Sequence, residues 1–165
     1  MSNAWSRLSE KTSVLVKWFA GIGLIVMTAI IAWQVFARYV LNASPAWVEQ
    51  AALLLMIWYV MFAAAAGVRE GFHIRIAVFA DNLPDKPKRV IRVVSHAIVG
   101  LFGLAMVWWG IELVREVWQH VIPTLGMSRG YAYVPIPVAG ALIFGFALEH
   151  VIAEIRSREV SQLWN

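Results

Sequence analysis

Four long stretches without a single charged side chain constrain this chain more than any other feature. They are Trp18–Ala37, Gln50–Val68, Val93–Ile111 and Gly130–Leu148, with 20, 19, 19 and 19 residues. Because a helix rises about 1.5 Å per residue and the hydrocarbon core of a bilayer is about 30 Å thick, each stretch suffices for one crossing. A soluble domain would interrupt such stretches with charge every turn or so. The sequence therefore predicts an all-α integral membrane protein with four transmembrane helices.

The composition leaves little room for anything else. Hydrophobic residues make up 61% of the 165 residues and charged residues only 15%, against roughly 45–50% and about 25% in soluble domains. We expect a single membrane domain over residues 1–165, with spans at about 15–37, 48–68, 91–114 and 131–152. The net charge of +4 is spread between the hydrophobic segments. It forms no basic patch or motif, so no nucleic acid is expected as a partner.

Lysine and arginine are distributed unequally between the segments that flank the spans. The two tails and the segment between the second and third spans carry eleven, namely Arg7, Lys11, Lys17, Arg69, Arg75, Lys86, Lys88, Arg89, Arg92, Arg156 and Arg158. The two short loops carry three, namely Arg38, Arg115 and Arg129. The positive-inside rule therefore predicts that both termini and the middle loop face the cytoplasm. The first span is too long for a signal peptide and is expected to remain as an anchor.

The middle loop has an amphipathic pattern of its own. Phe72, Ile76, Phe79 and Leu83 recur at helical spacing before Pro84, which predicts a short interfacial helix over about 72–83. The alternation in residues 72–76 would also suit a strand. An unpaired strand at a membrane surface would leave its backbone groups unsatisfied, so the helix is favoured.

Small residues fall at spacings that allow helices to pack closely. The candidate packing positions are Ala63, Gly67, Gly100, Gly103, Gly110, Ala141 and Gly145. Small side chains let helix backbones approach in lipid, where hydrophobic burial does not drive association. The four helices are expected to pack on one another through these positions; alternatively, some of these faces receive the helices of a partner.

Ionisable side chains are the default functional candidates within a membrane. Those near the spans are Glu112, Arg115, Glu116, Glu149 and Glu154. All five fall at or beyond predicted span ends, where reaching the aqueous interface explains them. A proton-coupled transporter that works alone would hold a carboxylate near the middle of a span, and this sequence has none. It also lacks the nucleophile, phosphate-loop and zinc motifs of enzymes, so no enzyme and no metal site is expected.

Two histidines leave one alternative open. His96 and His150 both lie toward the predicted cytoplasmic side of their spans. Two facing histidines can hold a haem iron from both sides, as in the membrane anchors of respiratory enzymes. The alternative interpretation is that both are polar residues near helix ends, which is the commoner situation.

The two predicted outer loops have the most distinctive local sequence. The first span ends with Phe36, Arg38, Tyr39 and Asn42, and Trp47 and Glu49 open the second. Glu49 complements the dipole at that helix N-terminus, and Arg38 can pair with it across the tight connection. The other loop contains Pro123, Thr124, Leu125 and Gly126, and Tyr133, Pro135 and Pro137 lead into the last span.

Taken in order, these stretches resemble a known family. Five stretches carry the resemblance, namely Phe36-x-Arg38-Tyr39, Trp47-x-Glu49, His73-Ile74-Arg75-Ile76, residues 123–126 and Tyr133-x-Pro135-x-Pro137. They are similar to the DctQ-type small membrane subunit of tripartite ATP-independent periplasmic (TRAP) transporters. The resemblance covers nearly the whole chain and its plan of four spans with both termini inside.

The resemblance implies a multi-pass protein of the bacterial inner membrane with two protein partners. A periplasmic binding protein would deliver an organic acid to a large membrane subunit, which moves it by sodium symport. The small subunit would be a static scaffold among the membrane lipids, with no cofactor of its own. Arg38, Tyr39, Trp47 and Glu49 are expected to fix the outer end of the first two helices and to help present the docking surface. A small transporter that acts alone, usually as a homodimer, is the remaining alternative.

Overall fold

Four long helices dominate the structure, which is a computed structural model describing residues 3–43, 45–71 and 85–155, with side chains over 9–43, 45–71 and 89–155. The elements are α1 (Asn3–Tyr39), α2 (Trp47–Arg69), α3 (Asp85–Val117), β1 (Val121–Ile122), β2 (Met127–Ser128), α4 (Gly130–Tyr133) and α5 (Pro135–Ile155). The predicted interfacial helix at 72–83, with its motif at 73–76, lies outside the described residues.

Within these ranges the four membrane helices that the sequence predicts are present. Ser9–Tyr39, Trp47–Arg69, Arg89–Val117 and Gly130–Ile155 are each long and apolar enough to cross a membrane. The predicted all-α fold of four spans is therefore confirmed. The two β-strands have two residues each and do not change the fold class.

Helix α1 is longer than the first predicted span. It has 37 residues, which corresponds to about 55 Å at 1.5 Å per residue, well beyond the thickness of a hydrocarbon core. The excess lies on the N-terminal side, where the predicted span begins at about residue 15. Ser9 and Ser13 of this extension are buried, so it packs against the rest of the molecule.

The helices form an open row in the order α1, α2, α5, α3. Extensive packing joins α1 to α2, α2 to α5, and α5 to α3. The most apolar stretch of the last span is 39% buried, against 11% for the first span and 17% for each of the other two. Since the row is open, most of the apolar surface on its two broad faces stays available to lipid or protein.

The core lies between α2 and α5. Ala65 and Val68 of α2 pack against Ala139, Ile143 and Phe146 of α5, and all five side chains are buried. Alanine at two of these positions brings the helix backbones close together. Without a hydrophobic drive between helices in lipid, this close van der Waals packing holds the pair together.

Helices α5 and α3 approach even more closely. A Cβ added to Gly103 would lie 2.8 Å from the carbonyl oxygen of Gly140, and one added to Gly140 would lie 2.7 Å from that of Gly103. Real Cβ atoms do not come this near to backbone atoms. Gly100 and Gly110 lie along the same interface, against Ala147 and Pro137.

The other predicted packing positions lie elsewhere. Ala63 and Ala141 are exposed and Gly67 is half-buried, while a Cβ on Gly145 would meet nothing within 4 Å. Ala63 and Ala141 are therefore not part of the buried helix contacts of this chain, and the alternative that such faces receive the helices of a partner stays a prediction. On the same two helices the fully buried small side chains include Ala65 and Ala139, because the core face is rotated relative to the predicted spacing.

The connection from α3 to α5 is a small hairpin that the sequence did not predict. Strands β1 and β2 pair antiparallel, with Val121 opposite Ser128 and Ile122 opposite Met127. The carbonyl of Ile122 accepts from the amides of Leu125 and Gly126, and Gly126 has a φ of 66°. A glycine suits this turn because it adopts a positive φ at little steric cost.

Candidate functional site: a buried polar cluster at one end of the helix row

Polar and charged side chains are buried together where α2 and α5 end and α1 begins. This polar cluster consists of Ser9, Ser13, Lys17, Arg69, Glu70, His96, Glu149 and His150. All except Lys17 are classed as buried, with 0–9% of each residue exposed, and the Lys17 side chain is 24% exposed. Four helices therefore contribute polar groups to one region of the molecule.

Arg69, the last residue of α2, lies at the centre of the cluster. Its side chain is 0% exposed, and its Nε donates a hydrogen bond of 3.2 Å to Ser9 Oγ on α1. Ser9 Oγ in turn donates to Glu149 Oε2 on α5, which lies 3.9 Å from Arg69 Nε. The hydroxyl of Ser9 thus makes hydrogen bonds with both a buried guanidinium and a buried carboxylate. The three side chains belong to three different helices.

A second carboxylate, that of Glu70, lies on the other side of Arg69. Its Oε1 is 3.8 Å from Arg69 Nη1 and accepts a hydrogen bond of 2.5 Å from Lys17 Nζ on α1. The side chain of Glu70 is only 2% exposed. Two cations and two carboxylates therefore balance one another, which is what burial of charge requires.

His150 closes the end of α2. Its Nε2 donates to the carbonyl oxygen of Arg69 at 2.8 Å, one of the carbonyls that a helix end leaves without a partner. The ring of His150 stacks on that of His96 from α3, with centroids 4.5 Å apart and planes within 2° of parallel. The two histidines thus join α3 and α5 to α2.

This arrangement does not fit a haem. His96 and His150 do face one another, as the haem alternative requires, but their rings stack with centroids 4.5 Å apart and leave no room for a porphyrin between them. The Nε2 of His150 is also already used by the backbone. Among the residues that the structure describes, no three histidine, acidic or cysteine side chains are grouped to hold a metal ion.

Glu149 corrects a prediction. The sequence places it at or beyond the end of the last span, with its carboxylate reaching water, but the structure buries it because the extension of α1 covers it with Ser9. Glu112, Arg115 and Glu116 are exposed, as expected of interfacial residues. Glu154 is half-exposed and pairs with Arg92 at 3.5 Å.

Arg69 was missed altogether as a site residue, because its position just after an apolar stretch reads as an interfacial anchor. One signal could have found the cluster. Ser9, Ser13 and Lys17 recur at every fourth residue, so they form a polar stripe on one face of a helix. A polar stripe that leads into an apolar span needs polar partners at the adjacent helix ends.

The residues predicted at the outer end of the α1–α2 pair lie on the surface. Arg38, Tyr39, Asn42, Trp47 and Glu49 are all exposed and lie within the connection or the turns beside it. Asn42 has a φ of 51°, a left-handed conformation that asparagine tolerates better than most residues. The buried anchor of this end is Val48, which is 0% exposed.

The residues predicted in the second outer loop take structural positions. Pro123 and Gly126 form the turn of the hairpin. Tyr133 ends α4, Pro135 begins α5 and is fully buried, and Pro137 packs against Gly110 of α3. The hairpin is also tied to the helices, since Ser128 Oγ donates to the carbonyl of Trp118 at 2.6 Å.

Comparison with known proteins supplies the family. A sequence model of the family described as "Tripartite ATP-independent periplasmic transporters, DctQ component" matches residues 27–157. The sialic acid TRAP transporter small permease protein SiaQ of Vibrio cholerae is 28% identical over 76% of this chain and 72% of its own length. The C4-dicarboxylate TRAP transporter small permease protein DctQ of the same organism is 23% identical over 87% of this chain and 60% of its own length.

The DctQ protein of Rhodobacter capsulatus is 30% identical over 61% of this chain and 49% of its own length. These relatives are named as small permease proteins of transporters that differ in substrate. What they share with this chain is therefore a component role in transport.

Proposed function

Since the chain belongs to the DctQ component family of the tripartite ATP-independent periplasmic transporters, a family of multi-pass inner-membrane transport components and not of enzymes, we propose that it is the static scaffold of such a transporter. In this role it packs against a large membrane subunit and widens the part of the complex that stays fixed. The large subunit carries the substrate by coupling its movement to sodium. A periplasmic binding protein delivers that substrate from outside.

The observation that carries this proposal is the position of the buried charge. Every member of the polar cluster lies at one end of the helix row, and the four stretches that form the middle of the row have no charged side chain. An ion or proton pathway needs polar groups through the membrane. A row of helices that is joined by buried polar contacts at one end and is apolar elsewhere is suited to be a structural support for a partner subunit.

The names of two relatives support a substrate class. Sialic acid and C4-dicarboxylates, the substrates in the names of two relatives, are both organic acids, so we expect the substrate here to carry a carboxylate.

The excess of basic residues in the tails and middle segment supports a cytoplasmic location for both termini. The polar cluster then lies on the cytoplasmic side.

The exposed outer end of α1 and α2 suits a docking role. Tyr39 is 76% exposed and Trp47 is 42% exposed. Both are close in sequence to Arg38 and Glu49, beside the short connection between α1 and α2. Val48, next to Trp47, is buried. Aromatic and arginine side chains are enriched where proteins bind one another. These residues are the part of this chain proposed to contact the binding protein or the outer rim of the large subunit.

Reconstitution of purified components tests the scaffold. The chain is co-expressed with a candidate large TRAP subunit, and liposomes receive the small subunit, the large subunit or both, each with a binding protein and a sodium gradient. We expect co-purification of the two subunits, and uptake only when both membrane subunits are present. Uptake by the small subunit alone would show a self-sufficient transporter, and full uptake by the large subunit alone would refute the scaffold.

A further inference from the structure

The guanidinium of Arg69 has more hydrogen-bond donors than the described residues use. Its Nε donates to Ser9 Oγ, but Nη1 and Nη2 are buried and have no hydrogen-bond acceptor among the described parts of the chain. The closest carboxylate oxygen, Glu70 Oε1, is 3.8 Å from Nη1, too far for a direct bond. Four N–H groups of a fully buried cation therefore need an acceptor.

Ser13 is the second unpartnered group in this region. It is 0% exposed, and its Oγ has no hydrogen-bond partner among the described residues. It lies on the face of α1 between Ser9, which binds Arg69, and Lys17, which binds Glu70. Thr28 of the same helix, by contrast, satisfies its hydroxyl by donating to the carbonyl of Leu24.

The charge balance of the region selects the kind of ligand. Among the described side chains, Arg69 and Lys17 are matched by Glu70 and Glu149, so an added anion or cation would leave a net charge buried. A neutral molecule that both accepts and donates hydrogen bonds avoids this cost. It can accept from the guanidinium and exchange a hydrogen bond with the Ser13 hydroxyl.

We propose that Arg69 Nη1 and Nη2 and Ser13 Oγ form a site for buried water, which bridges α1 to the end of α2. Buried waters typically make about three hydrogen bonds to otherwise unsatisfied polar groups, and this set of atoms supplies them. The bridge adds to the direct bonds of Ser9 and Lys17. The buried water then helps to hold the α1 extension against the end of α2.

A cryo-electron microscopy map of the complete transporter tests the site directly, at a resolution where ordered waters elsewhere are visible. We expect density within about 3 Å of Ser13 Oγ and of a terminal nitrogen of Arg69. Direct packing of protein atoms around both groups, acceptors from residues 72–84, or density for a lipid phosphate would each overturn the proposal.

A stability measurement gives an independent answer, because the sign of the effect differs between a hydrated and a dry site. If water bonds to Ser13, Ser13→Ala removes a favourable hydrogen bond and lowers the Tm of the purified complex by a few degrees. If the site is dry, the same change removes an unsatisfied hydroxyl and leaves the Tm unchanged or higher. Thr28→Ala is the matched control for loss of a hydroxyl on α1, and a Tm of Ser13→Ala at or above the wild-type value refutes the water site.

Discussion

At the scale of single residues, the most demanding feature is Arg69, a cation with no exposed side-chain surface. Removing a charge from water costs several kcal/mol, which only close partners can offset. Here the compensation is divided between Glu149, reached through Ser9, and Glu70, held by Lys17. Breaking one part therefore leaves a buried charge without its counterion.

Glu149 and Glu154 on α5 allow this cost to be measured with a matched pair. Glu149→Leu should lower the free energy of unfolding by about 3–5 kcal/mol, because it leaves Arg69 buried without this carboxylate. Glu154→Leu should cost no more than about 1 kcal/mol, since its pair with Arg92 is partly exposed, at 24% and 45%. Chemical denaturation of the purified protein in mild detergent measures both, and equal effects would contradict a central role for Arg69.

The difference between these two glutamates also shows what the sequence can and cannot predict at this scale. Both fall near the end of an apolar stretch, and their local sequences give the same prediction of an interfacial carboxylate. What separates them is a contact with Ser9, which lies 140 residues away in the chain. That His96 and His150 lie toward the same end of their spans was predictable, because both positions follow from the span ends, whereas the stacking of their rings was not.

At the scale of helices, the α3–α5 interface depends on glycine. The backbone atoms of Gly140 and Phe144 stand 2.8 and 2.9 Å from the place a side chain on Gly103 would take. Backbone atoms in a helix cannot move aside as the end of a flexible side chain can. The two helices must therefore separate to admit even a methyl group.

Gly103→Ala should consequently lower the Tm by several degrees, as expected of overpacking that costs about 1–3 kcal/mol. Gly21→Ala and Gly145→Ala are the matched controls, because an added Cβ at either position meets nothing within 4 Å. Both controls should leave the Tm unchanged or slightly higher, since alanine favours the helix more than glycine does. Scanning fluorimetry of the three variants measures this, and an unperturbed Gly103→Ala would show that the helices are further apart than described.

Helix existence and helix ends were not equally predictable. The lengths of the four charge-free stretches predict the four spans, because the thickness of the bilayer sets how many apolar residues a crossing needs. The N-terminal start of α1 did not follow, since most of residues 3–14 are polar or charged and no bilayer rule applies to them. The hairpin between α3 and α4 was missed because two-residue strands carry too little pattern to recognise.

At the scale of the whole molecule, the open row and the polar cluster have complementary consequences. The cluster ties all four long helices together at one end, and close packing of α5 on α2 and α3 joins them along their length. An open row keeps two broad apolar faces, as a protein that packs against a larger partner requires. A rigid row is also what the proposed scaffold role demands, because a fixed support must not bend while its partner moves.

A disulfide that locks the row tests this rigidity within transport itself. A Cβ on Gly100 would lie 3.4 Å from the Cβ of Ala147, close to the 3.5–4.5 Å of disulfides, and the chain has no other cysteine. In the double variant Gly100→Cys/Ala147→Cys, oxidation should protect both thiols from maleimide added after denaturation in SDS, whereas the thiols of Gly21→Cys/Gly100→Cys should stay reactive under the same conditions. Uptake by the reconstituted transporter should be the same, within about twofold, before and after oxidation. A loss on oxidation that reduction restores would mean that α3 and α5 move during transport, and the small subunit would not be a static scaffold.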